Sequence, residues 1–184
     1  MPYPYNPRAM YTTRDMVLAA IGINGGFDSV HGLVLTLFTA QFDITPWLEG
    51  GRLVRRVREY YYGGRPLVAG DWYIWNGLPW SNELDDAING LVDEGIVVIG
   101  HQGPGVDSIR LGGTAGIPHL PGSVAGRLAN ALGRYVAYTP WGFRRLVRWL
   151  LGLEDLDKSL YLNGMSIRDY LGLIGTKLEV VSLS

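Results

Sequence analysis

The residues best suited to bind a ligand are clustered at positions 141–148. Trp141, Arg144, Arg145 and Arg148 stand at positions i, i+3, i+4 and i+7, so a helix would carry all four on one face. A guanidinium group binds a phosphate through two parallel hydrogen bonds, and an indole ring stacks on nucleobases. This face is therefore predicted to bind a polyanion. Contact with an acidic protein surface and simple solvation fit the same pattern.

Further arginines extend this basic character in both directions along the chain. The stretch 108–153 contains no acid, and a second basic cluster precedes the first predicted strand. Because phosphate contacts dominate nucleic-acid affinity, these arginines are candidate nucleic-acid ligands. The additional predicted contacts are Arg127, Arg134, Arg52, Arg55 and Arg56.

An acidic segment separates the two basic regions. Residues 66–109 contain seven acids and no lysine or arginine, and five of the acids fall on one predicted helix. Carboxylates would repel phosphate, so this helix is expected to contact a protein partner. The predicted partner contacts are Glu83, Asp85, Asp86, Asn89 and Asp93. Pairing of the acidic and basic segments of different copies would also drive self-association.

No familiar catalytic or metal-binding pattern occurs in the sequence. The three histidines lie in separate segments without cysteine or a His-x-x-x-His spacing, so no metal site is expected. Asp85 and Asp86 are adjacent, which would point their carboxylates about 100° apart on a helix. The glycine-rich loop 100–105 lacks the Lys-Ser/Thr of a phosphate loop. We expect no catalysis, cofactor or small-molecule substrate.

The composition indicates one globular domain. The chain has 184 residues, 47% hydrophobic and 18% charged, with a net charge of −1, which suffices for a substantial core. Its apolar runs fall far short of the roughly 20 residues of a membrane helix, and the N-terminus lacks a signal-peptide pattern. We expect a cytoplasmic protein without membrane contact. The absence of cysteine with only two glutamines is typical of a thermophilic source.

Apolar periodicity and capping residues predict the order of elements. Leu53, Val57, Tyr60 and Tyr61 have helical spacing, and therefore predict a helix over 52–62. A helix with a proline at its first turn is predicted after Thr139, and strands of a hairpin over 96–99 and 108–111. The other predicted helices cover about 12–24, 28–42 and 82–95, a segment from 123, and 166–174.

Residues 73–95 carry a recognisable pattern. An aromatic strand, Tyr-Ile-Trp, runs into a Pro-Trp-Ser turn and then into a leucine-containing helix that ends in Glu-Gly. This string resembles the YwgA-like winged-helix proteins and the Panacea antitoxin domain. The resemblance implies a winged-helix core, and a regulator or antitoxin that acts by contacting nucleic acid or a protein.

The combined expectation is a mainly α protein with a small β-wing. It would comprise an extended arm (1–11), a winged-helix core (12–111) and a helical extension packed on that core (112–184). Its expected function is non-enzymatic docking on nucleic acid or a nucleoprotein complex, as a regulator or ribosome-associated protein, through the basic C-terminal helix. The alternative is a structural or assembly protein, such as an oligomer or virion component, acting through protein contacts.

Overall fold

The computed structural model describes residues 10–103 and 106–184, which form six helices and eight strands. The elements in chain order are α1 (Thr13–Asn24), α2 (Val30–Gln41), β1 (Phe42–Glu49), β2 (Arg52–Tyr62), β3 (Arg65–Pro66), β4 (Trp72–Trp75), β5 (Leu78–Ser81), α3 (Asn82–Asp93), β6 (Val97–Gly103), β7 (Val106–Leu111), α4 (Gly122–Leu151), α5 (Leu156–Leu160), α6 (Ile167–Leu173) and β8 (Lys177–Leu183). The arm predicted over 1–11 lies outside the described residues except for Met10 and Tyr11.

The mainly α winged-helix expectation is wrong. Strands form a four-stranded sheet and two separate two-stranded hairpins, so β-structure is a major component of the fold. The physical reason lies in residues 42–81, which build five strands between α2 and α3 where one helix and one short strand were predicted. The predicted 112–184 extension also ends in β8, which returns to the four-stranded sheet.

The hydrophobic core is centred on α2. Its residues 32–41 include no charged side chain and are all buried. Each large apolar side chain buried there contributes about 2 kcal/mol to stability. Ser29 caps the start of the helix, and its hydroxyl accepts a hydrogen bond from the Gly32 amide at 3.0 Å. α1 and α4 pack against α2, and α3 packs against α1.

The segment predicted as a helix over 52–62 is strand β2. Both of its edges are hydrogen-bonded, with antiparallel β1 on one side and parallel β8 on the other. Side chains alternate along the strand, so Val57 and Glu59 are buried while Arg56 and Arg58 are exposed. The tyrosines at 60–62 are compatible with the residue spacing of a helix or of a strand. Hydrogen bonding to the neighbouring strands makes this segment a strand.

A tight turn joins β1 to β2. Gly50 and Gly51 both have positive φ, 58° and 78°, as a two-residue hairpin turn of this kind requires. Beyond Arg56, where the pairing with β8 begins, the hairpin continues to its tip without a third strand on the β2 edge. Near the end of this projecting part, one pair before the turn, Leu48 and Leu53 face each other across the two strands and are both exposed.

The predicted sequence of a helix followed by a hairpin is present over 82–111. Ser81 caps α3, with its hydroxyl 3.2 Å from the Leu84 amide, and Gly95 follows the helix with φ 72°. β6 and β7 form the hairpin. Phe27, between α1 and α2, joins β7 through two backbone hydrogen bonds with Ile109. The hairpin thus connects α3 to the segment between α1 and α2.

α4 is bent at Thr139 and Pro140. Two separate helices were predicted here, and the structure confirms the break, because the helical element consists of two helices that meet at a kink. Thr139 has φ 64° and ψ 160°, outside helical geometry, and Pro140 lacks the amide hydrogen that a continuous helix would use. The bend turns residues 140–151 away from the axis of 122–138. We refer to these two segments as α4N (122–138) and α4C (140–151).

Candidate functional site

The predicted arginine Arg127, in α4N, is bonded to the protein itself. Its Nε and Nη2 atoms donate hydrogen bonds to the carbonyl oxygens of Ala40 and Thr39, each at 3.0 Å. The guanidinium carbon lies 4.0 Å from the centre of the Tyr60 ring. Burial lowers the pKa of this arginine. Arg127 therefore caps the C-terminus of α2 and is not free to bind a ligand.

Two further predicted arginines also have internal partners. Arg134 lies 3.6 Å from the carboxylate of Asp43. Arg55 donates from Nε to the Leu150 carbonyl at 2.7 Å and from Nη2 to the Trp149 carbonyl at 3.2 Å, and so caps the C-terminus of α4. These contacts attach the β1–β2 hairpin to α4.

The remaining hairpin arginines lie on its outer face. Arg56 stacks over the Trp47 ring, with 5.1 Å between the guanidinium carbon and the ring centre. Arg52 is opposite Glu49 in the strand register at the hairpin tip. Both are exposed, so they are accessible, but neither lines a groove with the arginines of α4C.

The four residues of the predicted basic face all lie on α4C, where Trp141 and Arg144 line one cavity and Arg145 and Arg148 line another. Trp141 stacks with Arg144, 5.0 Å from ring centre to guanidinium carbon. The guanidinium groups of Arg144, Arg145 and Arg148 make no hydrogen bond or ion pair with any residue in the described ranges. Arg145 and Arg148 line a cavity of about 640 Å³. We call this cavity the basic groove; its lining is Tyr138, Gly142, Arg145, Leu146, Arg148, Trp149, Glu154 and Leu156.

Exposed aromatic rings accompany these arginines. Tyr138, Trp141 and Trp149 are 50%, 71% and 42% exposed, so part of each ring is accessible to a ligand. Sequence reasoning found Trp141 but missed Tyr138 and Trp149. The signal for Trp149 was present, since positions 141, 145 and 149 follow one helical stripe. Tyr138 precedes the kink at Thr139, so the spacing along α4C does not place it.

The guanidinium group of Arg148 is partly buried without a counter-charge. Its Nε atom is buried and has no hydrogen-bond partner in the described part of the chain. The pKa of Arg148 is lowered, first by burial and then by repulsion from Arg144. A cation that has lost solvent without gaining a counter-charge destabilises the folded state, and an anionic ligand would relieve that cost.

The predicted acidic contacts divide into two groups. Glu83, Asp86 and Asp93 are exposed on α3. Asp85 and Asn89 instead line a second cavity, of about 950 Å³, together with Trp141 and Arg144. We call it the tryptophan groove; its lining is Asp28, Ser29, Val30, His31, Gly32, Leu35, Trp80, Asp85, Ile88, Asn89, Ile99, Asp107, Pro140, Trp141 and Arg144. Residues assigned to separate acidic and basic surfaces thus face each other across one groove.

His31 and Trp80 form the wall of the tryptophan groove opposite α4C. Their rings meet edge to face with 5.3 Å between centres. Desolvation lowers the pKa of His31, and the nearby cations Arg144 and Arg148 lower it further. Both effects favour the neutral form of the imidazole. No sequence motif marked either residue, because their proximity depends on how α2 and β5 pack.

A buried polar cluster is separate from both grooves. Glu59 is only 1% exposed, and its Oε2 atom accepts hydrogen bonds from Gln41 at 3.2 Å and Arg168 at 2.7 Å. Its Oε1 atom lies 2.5 Å from the same arginine, outside hydrogen-bond geometry. Burial raises the pKa of Glu59 despite the neighbouring cation. The cluster ties β2, α2 and α6 together.

Known proteins provide no guide to this site. No family model, curated protein or solved structure matches the chain, so the resemblance of residues 73–95 stays a prediction. Within the described ranges, no group of three or more His, Asp or Glu side chains is placed to hold a metal ion. None of the helices described there combines the length and hydrophobicity needed to cross a bilayer.

Proposed function

We propose that this protein binds single-stranded nucleic acid through the exposed face of α4C. The observation that carries the proposal is the arrangement of three arginines without internal partners among three exposed aromatic rings. Single-stranded nucleic acids are bound in this way, with cations along the phosphates and rings stacked on the bases. The proposal assigns a binding role without a chemical step, in the cytoplasm, as a regulator or a component of a nucleoprotein complex.

The proposal is supported less by the number of arginines than by whether each one already has a partner within the protein. Arg127, Arg134 and Arg55 are occupied by carbonyl or carboxylate groups of the protein. Arg145 and Arg148 border a groove that contains a single acid, Glu154. Phosphate groups would supply the missing counter-charges and release the counterions that accompany free nucleic acid.

A tryptophan substitution tests the proposal. Trp149→Ala is expected to weaken binding of a fluorescently labelled single-stranded 12-mer by about tenfold, because one stacking contact is lost. Fluorescence anisotropy measures the affinity. Trp75→Ala is the matched control, since Trp75 is 53% exposed on β4, outside both grooves. Equal affinities for the wild type and Trp149→Ala would contradict the proposal, as would a failure of the wild type to bind.

A second candidate function, assembly, rests on the hairpin tip. Leu48 is 74% exposed and its cross-strand neighbour Leu53 is 44% exposed, and exposed leucines at the end of a projecting element favour contact with another copy. Light scattering at increasing protein concentration tests it. Self-association that disappears in Leu48→Ser/Leu53→Ser would support assembly, whereas a strict monomer would exclude it.

A further inference from the structure

The tryptophan groove adjoins the nucleic-acid face proposed above. Trp141 and Arg144 belong to α4C and also line this groove, while Arg145 and Arg148 line the basic groove beside it. A strand bound along α4C would therefore pass the mouth of the tryptophan groove. Its volume of about 950 Å³ is within the range of pockets that hold nucleotide-sized ligands.

The chemistry of the groove suits a nucleobase and not a phosphate. Its lining includes the apolar side chains of Leu35, Ile88 and Ile99, and Trp80 and Trp141 contribute aromatic surface. Carboxylates also line it, so a phosphate group would be repelled from the interior. A strand can meet both conditions at once if its phosphates remain at the arginines while one unstacked base enters the groove.

The polar groups of α3 indicate which base would enter. Asp85 and Asn89 are one helical turn apart and both line the groove. Asp85 is half-buried and has no hydrogen-bond or ion-pair partner among the described residues, so its carboxylate is available to accept hydrogen bonds from a ligand. Guanine is the nucleobase with two adjacent N–H donors on its Watson–Crick edge, at N1 and N2. A carboxylate accepts both hydrogen bonds in parallel.

From this arrangement, and given the proposed function on which it rests, we infer that the tryptophan groove binds an unstacked guanine of the single strand. Asp85 accepts hydrogen bonds from guanine N1 and N2, Asn89 lies beside the base edge, and the indole of Trp80 or Trp141 supplies an aromatic surface for the base. The face of α4C thus provides affinity for any single strand, and α3 provides base preference.

Labelled 12-mers of uridine with one central guanosine, adenosine or inosine test this inference. Wild-type protein is expected to bind the guanosine strand about tenfold more tightly than the adenosine strand, as a two-hydrogen-bond contact to a base allows. Inosine lacks the N2 amine and should bind with intermediate affinity. Asp85→Asn should abolish the preference while retaining salt-sensitive binding to all three strands.

Asp86→Asn is the matched control. Asp86 is the next residue on α3, is exposed and does not line the groove, so its substitution should leave the preference for guanosine intact. Equal affinities of the wild type for the three strands, with salt-sensitive binding preserved, would overturn the guanine inference alone. Loss of all binding would overturn the proposed function as well.

A competition experiment distinguishes the groove's other plausible occupant, an arginine side chain of a protein partner. Guanosine monophosphate should displace the guanosine strand at lower concentration than an arginine-containing tripeptide does. The opposite order would overturn the assignment to guanine.

Discussion

The two halves of α4 use arginine in different ways. In α4N, Arg127 is bonded to two carbonyl groups and Arg134 to a carboxylate. In α4C, the side chains of Arg144, Arg145 and Arg148 have no such partner among the described residues. Both halves belong to the stretch 108–153, which contains arginines and no acid. The charge pattern along the chain is continuous across the kink, but the role of the charges changes there.

This difference shows that a basic segment has to be assessed partner by partner. An arginine that satisfies buried carbonyl groups stabilises the fold, so its removal leaves unpaired acceptors. An arginine without an internal partner contributes little to stability and remains available to a ligand. Stability measurements on matched variants can therefore separate the two classes without knowledge of the ligand.

The largest effect on stability is expected at Arg168. This arginine of α6 also has an internal partner, the carboxylate of Glu59. Arg168→Met should lower the free energy of unfolding by about 3 kcal/mol, because Glu59 would remain buried without its cation. Denaturant unfolding at pH 7 measures the change. Surface substitutions usually change stability by less than about 0.5 kcal/mol. A loss within that range would show that this pair does not stabilise the fold.

The pH dependence of this loss identifies its cause. The pKa of Glu59 is raised in the folded protein, first by burial, so the folded state binds this proton more tightly than the unfolded chain does. The unfolding free energy of Arg168→Met should therefore fall as the pH rises through the folded-state pKa, and recover below it. Adding Glu59→Gln should remove this dependence.

A smaller effect is expected at Arg127. Arg127→Met retains much of the apolar stem but loses two hydrogen bonds to the end of α2, so unfolding should become about 2 kcal/mol easier. Arg144→Met on the other half of α4 is the matched variant and should change stability by less than about 0.5 kcal/mol. Equal losses in both variants would remove the distinction between α4N and α4C.

The smallest effect, with the opposite sign, is expected at Arg148. Its guanidinium is partly desolvated without a counter-charge, beside Arg144. Arg148→Met should therefore leave the free energy of unfolding unchanged or raise it by about 0.5 kcal/mol. The thermal midpoint, which measures this change, should stay the same or rise. Oligonucleotide affinity should fall in the same variant. A clear loss of stability instead would assign Arg148 to the structural class.

Local signals in the sequence predicted several elements but not the architecture. α1 and α3 were predicted close to their observed bounds, because the residue directly before each helix, Thr12 or Ser81, caps it. β2 was predicted as a helix because the spacing of its apolar residues was weighed without its strand partners. One partner, β8, is remote in sequence, whereas the other, β1, is adjacent, and the Gly50-Gly51 turn between them was a local hairpin signal that was read only as a helix break. The winged-helix expectation failed for the same reason.

The candidate site was predictable in part. The stripe of α4C follows from helical spacing alone, as Trp141 and Arg145 illustrate. The tryptophan groove does not, because Asp85 and Trp141 are 56 positions apart and meet only through tertiary packing. Nor could sequence show that Arg127 and Arg55 cap helices, since their acceptors are backbone carbonyls, which every residue has.

The salt dependence of binding tests the central claim most directly. The affinity of a labelled single-stranded 12-mer is measured across salt concentrations for the wild type, Arg144→Ala/Arg145→Ala/Arg148→Ala and the exposed control Arg65→Ala. Loss of three phosphate contacts should reduce the slope of log affinity against log salt by about 2 in the triple variant, with no change in the control. A triple variant whose affinity and slope equal those of the wild type would contradict the assignment of α4C as the nucleic-acid face.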